Sequence, residues 1–222
     1  MMKCMLLSAG LGNRLRPLTF QVPKPLVTLA GKPLIVHHLE RLAAAGYEDI
    51  VINLSYLGEM IKQTLKDGHD YGVHIEYSFE GERPLGTAGG IVHALPLLGN
   101  RPFVVVNSDI WCDHHLSFPA LTHDLAHVVL VDNPAHNPEG DFEYESGRAC
   151  NSGEKRLTFS GIGIYVPKLF QSLTATKLDL ASVLRTAIDQ GRVSAEYYAG
   201  NWFDIGTAER LMQAEDHISK IK

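Results

Sequence analysis

Apolar positions along this chain fall into two rhythms. Short, nearly unbroken apolar runs at Cys4 to Ala9, Ile50 to Leu54, His74 to Phe79, Phe103 to Asn107 and His127 to Val131 have the length and β-branched content of buried strands. Between them lie segments with helical spacing: Pro33 to Ala45, opened by a proline and closed by Gly46, then Leu57 to Leu65, then a short Thr87 to Leu95. This alternation predicts an α/β fold, a Rossmann-like mixed, mostly parallel sheet sandwiched by helices. The rhythm breaks at Asn133. From there to Gly153 the chain is polar and rich in proline and glycine, which reads as an insertion over the site with a short strand at Phe142 to Tyr144. A strand resumes at Thr158 to Val166, and helices follow at Leu180 to Asp189 and Thr207 to Ile218, with Val193 to Phe203 extended between them. In the last helix the apolar spacing is carried by Ala208, Leu211, Met212 and Ile218. No linker-like composition interrupts the series, so residues 1–222 read as a single domain.

Composition changes this picture little. Of 222 residues, 45% are hydrophobic and 20% charged, enough to build a real core. A net charge of −5 leaves no basic surplus for a nucleic-acid backbone. Cys4, Cys112 and Cys150 are odd in number and far apart, with no C-x-x-C pair, which argues against a disulfide scaffold or zinc knuckle and suits a reducing cytosol. The first residues do not read as a signal peptide, and no apolar run approaches the roughly 20 residues of a membrane helix. A cytoplasmic protein acting on small molecules, as a monomer or small homo-oligomer, is the expectation.

Candidate chemistry is densest after the first strand. Ser8-Ala9-Gly10-Leu11-Gly12-Asn13-Arg14 empties a strand into a glycine loop followed at once by cations, with Lys24 close behind in Pro23-Lys24-Pro25. Glycines let backbone N–H groups approach an anion, and loops at the carboxyl ends of parallel strands are where such sheets bind ligands. The Walker pattern is absent. A dinucleotide fingerprint is spoiled by Leu15 at the third glycine position and by Asn53-Leu54-Ser55, where strand two offers no ribose-binding acid. Taken alone, the glycines and arginines would also suit a structural turn with surface charges.

The longer pattern is more specific. Gly10-x-Gly12-x-Arg14-x-x-Pro17-Leu18-Thr19, Pro23-Lys24-Pro25-Leu26 and Gly31-Lys32-Pro33, followed by Leu85-Gly86-Thr87-Ala88-Gly89, Asn107-Ser108-Asp109 and Trp202-Phe203-Asp204-Ile205-Gly206-Thr207, resemble in order the signature of sugar-1-phosphate nucleotidyltransferases. Ser8 stands where the family usually has alanine. The resemblance implies a GT-A-like fold with a nucleotide-binding part at about 1–110, a sugar-binding part at about 111–205 and a C-terminal helix at 207–220. It also implies joining of a nucleoside triphosphate to a sugar 1-phosphate, with release of pyrophosphate. Arg14 is then expected to brace the triphosphate and Lys24 to sit near the α-phosphate and the incoming phosphate. Ser8, Ala9, Gly10, Gly12, Glu80, Gly86 and Thr87 are expected around the nucleotide, with capping of the next helix an equal alternative for Thr87. Asn107, Gly140, Asp141 and Gly161 are expected around the sugar. Asp109 and Asp204 are expected to hold Mg²⁺, which is typically bound by one or two carboxylates plus phosphates and water.

Short relatives of this kind imply UTP and N-acetylmuramate 1-phosphate as substrates. Another sugar 1-phosphate or phosphocholine with a different nucleotide, a nucleotide-sugar-binding regulatory module and a glycosyltransferase stay open. Asn107-Ser108-Asp109 lacks the Asp-x-Asp that a glycosyltransferase would more often show. The helical pair His37-His38 and the loop pair His114-His115 read as structural or surface residues, and Asp113 as surface.

Overall fold

A computed structural model describes residues 2–221. Chain order runs β1 (Cys4–Leu7), a small hairpin of β2 (Thr28–Leu29) and β3 (Lys32–Pro33), α1 (Leu34–Ala44), β4 (Asp49–Leu54), α2 (Gly58–Leu65), β5 (His74–Phe79), α3 (Gly86–Leu98) and β6 (Phe103–Asn107). Then come β7 (Ile110–Cys112), β8 (Ala126–Val131), β9 (Phe142–Glu145), β10 (Arg148–Cys150), β11 (Arg156–Tyr165), α4 (Leu180–Asp189), β12 (Val193–Tyr197), β13 (Trp202–Asp204) and α5 (Ala208–Ile221).

Nine strands form one mixed sheet in the order β5-β4-β1-β6-β11-β8-β12-β10-β9. The block β5-β4-β1-β6 is parallel, built from right-sized strand–helix–strand units. From β6 onward the junctions are antiparallel except β8 with β12. Side chains alternate between two cores: Cys4 and Leu6 of β1 face one, Met5 the other, and the same division holds in β4 and β6. Burial on both faces is why these strands read as unbroken apolar runs. Helices α1 and α2 cover the first face, α3 and α4 the second.

Several details differ from the sequence reading. The Asn133–Gly153 segment supplies a hairpin, β9–β10, that extends the sheet, with β9 also pairing β11. The extended run after Val193 is two strands in two sheets: β12 lies beside β8, whereas β13 pairs with the unforeseen β7. Helix α5 buries Ala214 and Ile218 against Trp111 and Ile205. Met212, expected on that face, is 62% exposed, because its position lies a half-turn off the stripe set by Ala214 and Ile218.

Candidate active site

The carboxyl edge of the parallel block makes the site. In register across three strands, Leu7 of β1 lies between Asn53 of β4 and Asn107 of β6. The chain leaves each strand here, so three loops meet over one edge. Their cleft is lined by Ser8, Ala9, Gly10, Lys24, Gly86, Thr87, Asn107 and Asp109, all expected from the sequence, together with Asn53, Pro25, Pro84 and Ser108.

A short polar network fixes this rim. Ser8 N–H donates to Asn53 Oδ1 at 2.6 Å, and Asn53 Nδ2 donates to Glu80 Oε1 at 2.6 Å. Glu80 Oε2 accepts from Leu85 N at 2.7 Å. The glycine loop and the loop before α3 are thus tied through one asparagine that is 2% exposed. Glu80, expected to contact a base, has both carboxylate oxygens engaged by the protein, so it brackets the Leu85–Gly86 turn. Gly90 is required beneath it, since a Cβ there would lie 2.3 Å from Glu80 Oε1. On the other side, Ser108 Oγ donates to Leu7 O at 2.6 Å and holds the Asp109 turn against β1.

Within the loop the two glycines do different things. A Cβ at Gly10 would meet nothing within 4 Å, so this backbone borders open space where an anion can approach. Gly12 has φ +63°, and a Cβ would lie 2.9 Å from Thr19 Cγ2 and 3.3 Å from Lys24 Cβ. Its hydrogen is needed for close packing that carries Lys24 to the cleft. Lys24 is only 9% exposed, and its Nζ lies 2.7 Å from Asp109 Oδ2. Burial pushes the Asp109 carboxyl up, but the Lys24 ammonium, with Arg14 beyond it, outweighs this and holds it below the ordinary carboxylate value. Arg14 itself is exposed on a 3-10 turn, Asn13–Leu15, on the open side of the loop.

Gly86 and Thr87 line the cleft but also serve packing. Gly86 has φ +74°, with Leu178 O 2.7 Å from where a Cβ would stand, and Ala88 N donates to Leu178 O at 3.1 Å. Thr87 Oγ1 accepts from Leu180 N at 2.8 Å, so the expected capping role falls on α4 rather than on its own helix. The start of α3 is therefore closed by the segment preceding α4.

Asp204 arrives from β13. Its neighbour Ile205 donates through its backbone N to Asp109 O at 2.8 Å, placing both expected cation ligands on adjoining segments although they are far apart in sequence. Asp204 Oδ2 accepts from Arg210 NH1 at 2.5 Å and lies 3.0 Å from His136 Nε2. Asp204 Oδ1 is buried with no hydrogen-bond partner among the described residues. An orphaned carboxylate oxygen, on a segment hydrogen-bonded to the one that carries Asp109, suits a hard divalent cation. No group of three histidine, cysteine or acidic side chains among the described residues forms a complete cation cage. Such a cation would draw its other oxygens from phosphates and water.

The expected sugar contacts separate. Gly161, φ +81°, sits at the bulge of β11, where a Cβ would lie 2.6 Å from Asn107 Nδ2, so these two pack together at the cleft. Gly140, φ +62°, packs instead on the Arg156 carbonyl, 2.8 Å from a Cβ. Asp141 Oδ2 accepts from Phe159 N at 2.8 Å and from Asn137 Nδ2 at 3.2 Å. In this structure Gly140 and Asp141 fasten the 133–141 loop to β11.

Sequence reading missed Asn53 and placed Asp113 on the surface, whereas His114 takes the structural role expected of it. Asp113 accepts from Asn201 N at 2.9 Å, from Asn201 Nδ2 at 2.7 Å and from the Tyr198 hydroxyl, anchoring the turn that launches β13. His114, 5% exposed, pairs with Glu196 at 2.8 Å. Both residues follow a strand too short to be seen in the pattern, and only the polar end of a parallel strand could have flagged Asn53. His37 and His38 are both buried, and burial lowers His38 to about 4, so it stays neutral.

Residues 3–131 match the family model described as nucleotidyl transferase. The chain is 49% identical to N-acetylmuramate alpha-1-phosphate uridylyltransferase of Neisseria meningitidis, across 96% of this chain and 97% of that protein. It is 33% identical to mannose-1-phosphate guanyltransferase beta-B of Xenopus laevis, spanning 61% of that longer protein. In structure it superposes, at a TM-score of 0.88 and 22% identity, on a Bacillus anthracis protein assigned as a glucose-1-phosphate thymidylyltransferase and crystallised with sucrose, covering 100% and 97% of the two chains.

Proposed function

The chain belongs to the nucleotidyl transferase family, and from that premise we propose that it transfers a uridylyl group from UTP to N-acetylmuramate 1-phosphate, giving the UDP-sugar and pyrophosphate. The observation that carries the substrate choice is the 49% identity to the meningococcal uridylyltransferase over nearly the full length of both chains. A sugar of bacterial cell-wall turnover and a cytosolic setting fit the unpaired cysteines, and no helix among the described residues is long and apolar enough to cross a membrane.

The chemistry asks for little proton transfer, because the attacking phosphate is already ionised. One oxygen of the sugar phosphate forms a bond to the α-phosphorus of UTP. The bond from that phosphorus to the bridging β-oxygen breaks, and the electron pair leaves on pyrophosphate. Both reactants are anions, so the protein's task is alignment and charge compensation. The open backbone at Gly10 and the exposed Arg14 face the triphosphate, the guanidinium gripping two oxygens at once. Lys24, poised on Asp109, turns its ammonium to the α-phosphate where negative charge gathers. Gly86 and Thr87, held by the Asn53–Glu80 bracket, border the nucleoside, and Asn107 with Gly161 borders the sugar. Asp109 and Asp204 would hold Mg²⁺, which when bound neutralises phosphate oxygens.

Pyrophosphate release, measured with each ribonucleoside triphosphate against a panel of sugar 1-phosphates with and without Mg²⁺, tests this. Metal-dependent release that favours UTP with N-acetylmuramate 1-phosphate is expected. A product carrying another base overturns the uridylyl assignment. Turnover of a nucleotide-sugar without pyrophosphate overturns the reaction.

A further inference from the structure

Each of the two carboxylates at the site is neutralised by a cation from another element. Asp109 is paired with Lys24 and Asp204 with Arg210. The second pair is built with some care. Arg210 stands in the first turn of α5 and folds back towards β13, its Nε 3.4 Å from Thr207 Oγ1 and its NH1 2.5 Å from Asp204 Oδ2. Gly206 opens the path, since a Cβ there would lie 2.2 Å from Arg210 NH2. His136, from the 133–141 loop, closes the group at 2.8 Å from Arg210 NH1. Both side chains of the Arg210–Asp204 pair are only 16% accessible, yet Asp204 Oδ1 keeps no partner among the described residues.

A guanidinium so placed is more than a brace for α5, because Asp204 has a second claimant. Once a divalent cation takes that carboxylate, the negative charge facing Arg210 is shared and the guanidinium needs another anion. Gly10, Arg14 and Lys24 already serve the triphosphate side. Arg210 approaches instead from β13 and the 133–141 loop, whose His136 it meets, within the part of the chain expected from the sequence to serve the sugar. We propose that Arg210 binds the phosphate of the sugar 1-phosphate, held ready by Asp204 and handed to the substrate's oxygens. Lys24 makes the corresponding exchange from Asp109. The inference rests on the nucleotidyl-transfer reading above.

Two measurements test it. The first is steady-state kinetics of wild type, Arg210→Gln and Arg210→Lys, varying UTP and sugar 1-phosphate separately. The second is Mn²⁺ binding to the protein alone, followed by the paramagnetic resonance of free Mn²⁺. For Arg210→Gln, KM for the sugar 1-phosphate should rise about 10- to 100-fold, as losing a charge-assisted hydrogen bond does, while KM for UTP stays within about twofold. Arg210→Lys should restore most of the loss. Mn²⁺ should bind the Gln variant several-fold tighter, because its carboxylate is no longer pre-paired. Unchanged KM for the sugar phosphate with only a lower melting temperature makes Arg210 a structural brace and overturns the proposal, as does an equal rise in both KM values. Mn²⁺ affinity equal to wild type overturns the exchange. If wild type makes no product with any sugar 1-phosphate, the reaction reading itself fails, and the Mn²⁺ arm still decides whether Arg210 competes for Asp204.

Discussion

Replacing Asn53 by alanine removes the one side chain that joins the glycine loop to the loop before α3. Two bonds are lost, each 2.6 Å long: Ser8 N–H to Oδ1, and Nδ2 to Glu80 Oε1. The groups left behind are Ser8 N–H, in a residue 3% exposed, and the Glu80 carboxylate, which is half-buried. A buried donor left without an acceptor costs about 1–3 kcal/mol, and a bond to a charged group contributes about 1.5–3 kcal/mol. The expected loss is therefore about 3–5 kcal/mol, or roughly 6–20 °C in melting temperature for a chain of this size. The second consequence is functional. Freed from Asn53, Glu80 no longer fixes the Leu85–Gly86 turn, so KM for UTP should rise while KM for the sugar 1-phosphate changes less. Urea denaturation and two-substrate kinetics on one preparation read both effects. Asn53→Asp is the sharper control: it keeps the acceptor for Ser8 but faces Glu80 with a second carboxylate. That repulsion raises a carboxyl pKa, so the variant should gain stability relative to wild type as pH falls below neutrality. A loss under about 1 kcal/mol in Asn53→Ala, with both KM values unchanged, would refute the bracket.

Other perturbations give equally definite outcomes. Asp109→Asn and Asp204→Asn should each lower kcat by on the order of 100-fold or more at fixed Mg²⁺ while still folding, with a lower melting temperature because Lys24 or Arg210 loses its partner, as checked by pyrophosphate release and calorimetry. Lys24→Met keeps the buried stem and removes the charge, so kcat should drop about 100- to 1000-fold with the fold intact by circular dichroism. Gly89→Ala places a Cβ 2.0 Å from Thr176 O, a backbone atom, and should cost about 1–3 kcal/mol in denaturant titration by prising the segment before α4 from α3. The hydrogen bond from His114 and the nearby His127 ring, 3.7 Å away, lower Glu196 to about 2. Its folded value lies below its unfolded one, so its stabilisation is complete above about pH 4.5 and fades as pH falls towards 2. The stability gap between wild type and Glu196→Gln should shrink over that window.

Much of this protein was legible in its residues. Strands buried on both faces must be apolar throughout, so β1, β4, β6 and β8 stood out, and helices covering one face must repeat every three to four residues, so α1 and α4 did too. The motif from Gly10 to Lys24 marked one wall of the cleft, because Gly10 and Lys24, which line it, lie close in sequence. What lies beyond local spacing was decided only by folding. Asp204 reaches Asp109 because β13 pairs with the three-residue β7, an element too short to carry a period. Asn53 and Asn107 flank Leu7 because three strands share a register that no single segment encodes. Gly86, Gly89 and Gly140 look alike as flexible residues, yet each answers to a carbonyl from a distant segment, Leu178, Thr176 or Arg156. A sequence states which residues can turn, bury or bear charge. Which partner each one meets is a property of long-range packing, and that is where Arg210, His136 and Asp204 became a single site.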